Sequence, residues 1–206
     1  MEQVKRCFFV FLSLITTLLY SQTQIPRKGL IKAMATISPA KMFGYNESYF
    51  YLHGNLEGYL SDNVSVSGDG YMFLGEQTKS PEGFKFINNL FFGLNYHVIK
   101  GNGDFYLGAQ PGVCIAQLKT DSPKILVAHT GTSPVFSSII GYNYFVGKYF
   151  NFFVQARYIA GSHNYDLHKS LSEIRFSAGL GFNINTLPVC RLKAKHGDLE
   201  SDLKKP

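Results

Sequence analysis

Residues Ser172 to Ile184, SEIRFSAGLGFNI, alternate without a break. Ile174, Phe176, Ala178, Leu180, Phe182 and Ile184 fall on one side of an extended backbone, and Glu173, Arg175, Ser177, Gly179, Gly181 and Asn183 on the other. A period of two belongs to a strand, whose successive side chains point to opposite faces; a helix would scatter the same residues around its axis. The preceding stretch repeats the pattern, with Phe150, Phe152, Val154, Ala156 and Tyr158 opposing Asn151, Gln155 and Arg157. Two such arms predict a hairpin from Phe150 to Ile184, and the signature recurs upstream.

Gly29 to Pro39 sets Ile31, Ala33, Ala35 and Ile37 against Lys32, Met34, Thr36 and Ser38. Tyr49 to Leu60 sets Phe50, Leu52, Leu56 and Leu60 against Tyr49, Tyr51, His53, Asn55, Glu57 and Tyr59. Val64 to Gly75, Phe84 to Val98, Phe105 to Ala116 and Phe136 to Val146 complete a set of eight predicted strands. Asp62-Asn63, KGNGD from Lys100 to Asp104, and Gly147-Lys148 are tight-turn signals. Pro111 cannot donate to a ladder, so a bulge or a weakened strand is expected there. Connections after the second, fourth and sixth strands are short; the others are longer, the longest running from Gln117 to Ser133. Eight is the smallest common strand number for a closed barrel. The 206 residues show no composition break, which fits one domain, and 20 Gly, 13 Tyr and 18 Phe without Trp suit an all-β chain. The net charge of +6 comes from scattered residues, not from a basic stripe interleaved with aromatics, which argues against a nucleic-acid partner.

An eight-stranded barrel can point its apolar face inward, as soluble ligand carriers do, or outward into lipid. The polar faces here are mostly Gly, Ser, Asn and Tyr with few charges, which suits a lumen better than a water-facing wall. Along the apolar faces, Tyr96, Phe105, Tyr144, Phe150 and Phe182 fall at the turn side and Phe50, Phe86, Phe136 and Tyr158 near the loop side, at the heights of two aromatic girdles. Short turns alternating with long loops point the same way. At the N-terminus, Lys5 and Arg6, then the apolar run Cys7 to Tyr20, then small and polar residues have the anatomy of a cleaved export signal over residues 1–22. The expectation is an all-β, eight-stranded antiparallel up-and-down transmembrane β-barrel over 29–184, in the outer membrane.

By its leader, eight strands, loop alternation and the ending FSAGLGFNI (Phe176 to Ile184), the chain resembles the small outer-membrane barrels of the OmpA and OmpX type in Gram-negative bacteria. The resemblance implies a structural or surface-interaction role, or at most a narrow porin-like pore. Its implied partners are outer-membrane lipids and lipopolysaccharide, the barrel-insertion machinery and an extracellular ligand or surface; no cofactor or metal is expected. Many such barrels stop at the last aromatic strand end, whereas Asn185 to Pro206 follows here, expected as a disordered periplasmic tail. In a barrel, Cys114 and Cys190 would lie at opposite ends, too far apart for a disulfide.

Parity places Lys32, Glu57, Asp69, Arg157, Glu173 and Arg175 inside, three of each sign. If the first hairpin bends near Gly44, Lys32 faces Glu57, and Arg157 lies across from or diagonal to Glu173 and Arg175. Buried charges need partners, so ion pairs that fill the lumen are expected, with a gated ion path as the functional alternative. His53 and His97 also face inward, as hydrogen-bonded fillers. GSHNYDLH holds Ser162, His163, Asp166 and His168, and His129 lies in the neighbouring loop; these are the parts of a lipid-modifying hydrolase such as a lipid A deacylase at the outer rim. Ser162 and His163 are adjacent, so on a strand they point apart. The apolar run of Lys124, Ile125, Leu126, Val127 and Ala128 in the longest loop is the candidate contact surface, or an extension of the wall.

Overall fold

The computed structural model describes residues 26–43, 47–77, 83–119, 128–165 and 168–186. The export signal, Lys124 to Val127, Asp166 and the tail beyond 186, with Cys190, lie outside the described residues. Within them the alternating segments form β1 (Leu30–Met42), β2 (Ser48–Tyr59), β3 (Val64–Glu76), β4 (Phe84–Lys100), β5 (Gly103–Leu118), β6 (Thr130–Val146), β7 (Phe150–His163), a two-residue β8 (Lys169–Ser170) and β9 (Glu173–Asn185). Each long strand pairs antiparallel with its neighbour in the chain, β7 pairs with β9, and β9 returns to β1. The result is a closed, up-and-down barrel of eight strands, all antiparallel. β8 only adds to the tip of β7, through Ser162↔Ser170 and His163↔Lys169.

The turns at one end are tight. Gly101 and Gly147 have φ of 60° and 67°, a left-handed conformation that Gly adopts without a side-chain clash, and they reverse the chain after β4 and β6. Both chain ends of the barrel lie at this end as well, tied by Thr186 N–H donating to the Gly29 carbonyl at 3.0 Å.

One strand start departs from the sequence reading, and of the two outcomes expected at Pro111 the structure shows the weaker ladder and not the bulge. β6 begins at Thr130, six residues before Phe136, and shortens the longest connection. Its first outward residues are Thr130, Thr132 and Pro134, so apolar-polar contrast is weak where the strand starts. Pro111 causes no bulge: it pairs with Phe136 of β6, and on the β4 side the ladder pauses between Phe91↔Gly112 and Leu94↔Ala109 without changing register. The irregularities fall at Phe50/Tyr51 against β3 and at Phe84/Phe86 against β5.

The apolar face points outward. Leu90 and Phe92 are 66% and 63% exposed, while Lys32, Arg157 and Arg175 are each 0% exposed. This inverts the burial order of a soluble barrel. Near the long loops the faces change roles. There Met42, Phe84, Ile87, Ala116, Leu118, Val135 and Leu171 turn inward into an apolar cluster, and Lys41, Lys85, Thr130 and Thr132 turn outward.

Candidate functional site

The lumen is stacked in layers, and strand parity with the observed register determines each layer. At the turn end Tyr59 Oη donates to Asp104 at 2.6 Å, His97 Nδ1 lies 2.8 Å from the same carboxylate, and Asn143 Nδ2 donates to it at 3.4 Å. Arg27, just before β1, closes this floor: its guanidinium stacks 3.5 Å from the Phe145 ring centroid. The guanidinium makes no hydrogen bond among the described residues, although the backbone N–H of Arg27 donates to Asp62 at 2.9 Å, and burial pushes the side-chain pKa below the ordinary value against the pull of Tyr59, Asp104 and Asp62.

One layer up, Lys32 on β1 stands opposite Glu57 on β2 and pairs with it at 2.5 Å. Lys32 also donates to Asn143 at 3.1 Å, while Ser65 and Asn95 donate to the other Glu57 oxygen at 2.5 and 2.8 Å. At mid-height Arg157 reaches across the lumen to Asp69 at 2.9 Å. That approach is off hydrogen-bond geometry, so it is an ion pair; the directed bonds of Arg157 go to Gln110 at 2.6 Å and Ser137 at 2.8 Å. Asp69 also contacts His53 Nε2 at 2.8 Å and accepts from Gln110 at 2.8 Å. Above it Glu173 pairs with Arg175 on the same strand, and Arg175 stacks over Tyr51 at 3.8 Å and Tyr71 at 4.4 Å. At the loop end Lys169 pairs with Glu47 at 2.8 Å, and Tyr49 donates to Glu47 at 2.6 Å.

The six interior charges read from parity therefore meet in three pairs, Lys32–Glu57, Arg157–Asp69 and Arg175–Glu173. Arg157 does stand directly opposite Arg175 on the wall, yet its partner is on β3. Arg27, Glu47, Asp104 and Lys169 lie before the first predicted strand, in the longer connections or in the predicted Lys100–Asp104 turn, where strand parity assigns no side. Asp104 belongs to β5, which begins one residue earlier.

Ser162 and His163 do not meet. Ser162 is half-buried on the outward side of β7, whereas His163 is fully buried inward against the Phe84 and Tyr165 rings, at centroid distances of 5.9 and 5.4 Å. His168 lies exposed beside Asn164 and His129 lies exposed at the start of the β6 arm. Of the apolar loop run, Ala128 packs against the loop-end cluster and accepts a hydrogen bond from Gln117 at 2.9 Å. Cys114 is a buried free thiol on the inner face. Among the described residues no group of His, Cys, Asp and Glu is arranged to hold a metal ion.

No protein-family model and no curated protein sequence matches the chain. Solved structures do. The chain superposes on OprG from Pseudomonas aeruginosa with a TM-score of 0.58 at 13% identity, covering 80% of this chain and 100% of that one. Neisserial surface protein A gives 0.57 at 13% identity over 76% and 96%, and the N-terminal barrel domain of Pseudomonas aeruginosa OprF gives 0.56 at 12% over 76% and 98%. The fold is that of the small eight-stranded outer-membrane barrels. At these identities the likeness is one of architecture: strand number, closure and direction are shared.

Proposed function

We propose that this chain is an outer-membrane barrel with a structural or surface-interaction role, its turns and both barrel ends in the periplasm and its long loops outside. The observation that carries the reading is the inverted wall, in which ion pairs are sealed inside while Leu, Phe, Ile and Val cover the outside. In water such a wall would be an uninterrupted apolar patch far beyond what a soluble monomer exposes; in a bilayer it is the solvated surface. Aromatic residues bound it, with Tyr96, Phe105, Phe150 and Phe182 exposed at the turn side and Phe50, Phe136 and Tyr158 at the loop side.

Strand length supports a raised loop end. β4 and β6 have 17 residues each. At ~3.3 Å per residue and a tilt of ~40° they rise roughly 43 Å, well beyond the ~25 Å apolar band. The excess lies where the faces exchange, so the loop-side third is a short water-surrounded barrel with its own apolar core. That core stands in series with the polar layers below it, and both would have to rearrange for ions to pass; a filled wall support is therefore favoured over a pore. A hydrolase site at the rim gains nothing from Ser162 and His163, which face opposite ways.

The test is the electrophoretic mobility of the protein from a fractionated envelope, with and without boiling. A heat-shifted band in the outer-membrane fraction is the expected result. A soluble periplasmic protein without a shift would remove the reading.

A further inference from the structure

Where β9 closes on β1, the backbone ladder is interrupted. Pairing runs from Leu30↔Asn185 to Met34↔Gly181, stops, and resumes from Ala40↔Arg175 to Met42↔Glu173 in the same register. Ala35 to Pro39 and Phe176 to Leu180 thus lie side by side without ladder pairing. Pro39 has no N–H to give. Two β9 carbonyls are instead held by side chains: Thr36 Oγ1 donates to Ala178 O at 2.7 Å and Ser38 Oγ to Phe176 O at 2.7 Å. The β6–β7 wall, by contrast, pairs without a gap from Val135↔Gly161 to Val146↔Phe150.

What lies on the two sides of this gap differs in kind. Outside, at its turn-side edge, is an open groove of about 370 Å³ lined by Ala33, Ala35, Phe150, Leu180 and Phe182. Inside, Ser177 Oγ donates to Ser38 Oγ at 3.0 Å and lies 3.1 Å from His53 Nδ1, whose other nitrogen contacts Asp69. An apolar channel on the wall therefore adjoins a polar chain in the lumen, separated by two hydroxyl hydrogen bonds. That sequence, apolar then polar, matches an amphiphile with one acyl chain.

We propose that the wall opens laterally at the β1–β9 seam, admitting the polar head of a single-chain amphiphile whose acyl chain lies in the outer groove. The proposal rests on the membrane reading above. Side-chain hydroxyl bonds substitute for ladder bonds without the neighbouring pairs that make a ladder cooperative, so this segment separates before the ungapped β6–β7 seam.

Two measurements on the full mature barrel in phospholipid vesicles test it. Amide exchange at Ala35 to Ser38 and Phe176 to Leu180 is expected to be at least roughly tenfold faster than at the β6–β7 seam. A photoactivatable C16 fatty acid is expected to label the inward residues Thr36, Ser38 and Ser177. That labelling disappears when Ala35→Cys and Leu180→Cys, which are directly opposite in register, are oxidised to a disulfide with Cys190→Ser in the background, and it returns on reduction. If the lock does not form, Thr36→Val with Ser38→Ala provides the converse test and increases inward labelling. Label confined to outward residues such as Ile37, Leu180 and Phe152, with exchange no faster than at β6–β7, overturns the port while leaving the membrane reading standing. No label on Phe152 or Ile140 either overturns both.

Discussion

Replacing Arg157 by Met removes a unit positive charge from the waist of the lumen and keeps much of the side-chain bulk. Arg157 is fully buried, and its Nη2 lies 2.9 Å from Asp69. At that separation and an effective dielectric of ~20, the Coulomb attraction is about 6 kcal/mol before desolvation is subtracted. Breaking a buried pair by deleting one partner typically costs ~3–5 kcal/mol. Asp69 would keep His53 and Gln110, and Met would keep part of the packing against the Phe91 ring, so the lower end, about 3 kcal/mol, is expected. Asp69→Asn combined with Arg157→Met removes both charges and is expected to cost about 1 kcal/mol or less, because no uncompensated ion is left inside. Urea unfolding of the refolded barrel in detergent micelles, followed by far-ultraviolet circular dichroism, measures both. If the single variant matches the parent, or the double variant is less stable than the single, the ion pair is not what compensates these buried charges.

Further perturbations probe the wall, the packing and conduction. Val154→Arg, outward and midway along β7 between the girdle residues Phe150 and Tyr158, is expected to destabilise the bilayer-embedded barrel by about 2–4 kcal/mol, read as the change in folding free energy into vesicles; a neutral effect would mean that this face does not meet lipid. A Cβ at Gly141 would lie 2.4 Å from the Tyr106 hydroxyl, which donates to Gln155, so Gly141→Ala should cost roughly 1–3 kcal/mol in the same urea assay. Planar-bilayer recordings of the parent are expected to show no stepwise current; steps that change in Glu57→Ala and Arg157→Ala would instead assign the ion pairs to a gated path.

Much of this barrel was legible because a single period carries it. Once the turns at Asp62-Asn63, Gly101 and Gly147 are placed, parity assigns inside and outside for Ile31 or Lys32 alike, and the structure places the long strands within a few residues of those bounds except at β6. Parity says nothing about height or about the partner across the lumen. Arg157 and Asp69 meet because the stagger of eight strands brings β3 and β7 to face one another at that level, a property of closure and not of either segment. The exchange of faces at the loop end was also hidden: in FKFINNLFFG, Phe84 shares its parity with the lipid-side Phe86 and Leu90, and only the register shift between Phe84 and Phe86 turns it inward beside Ile87. Asp104 and Glu47 escaped for a simpler reason, since they stand next to turns where strand bounds are hardest to draw.

The tie between Thr186 and Gly29 gives the cylinder no privileged beginning. A few residues bridging that contact, with new ends cut between β1 and β2, would turn the closing seam into an ordinary hairpin and keep all neighbouring strand pairs. Such a circular permutant should reach the same barrel, with a covalent join now closing the turn end of the seam that the parent bridges further along with two hydroxyl groups.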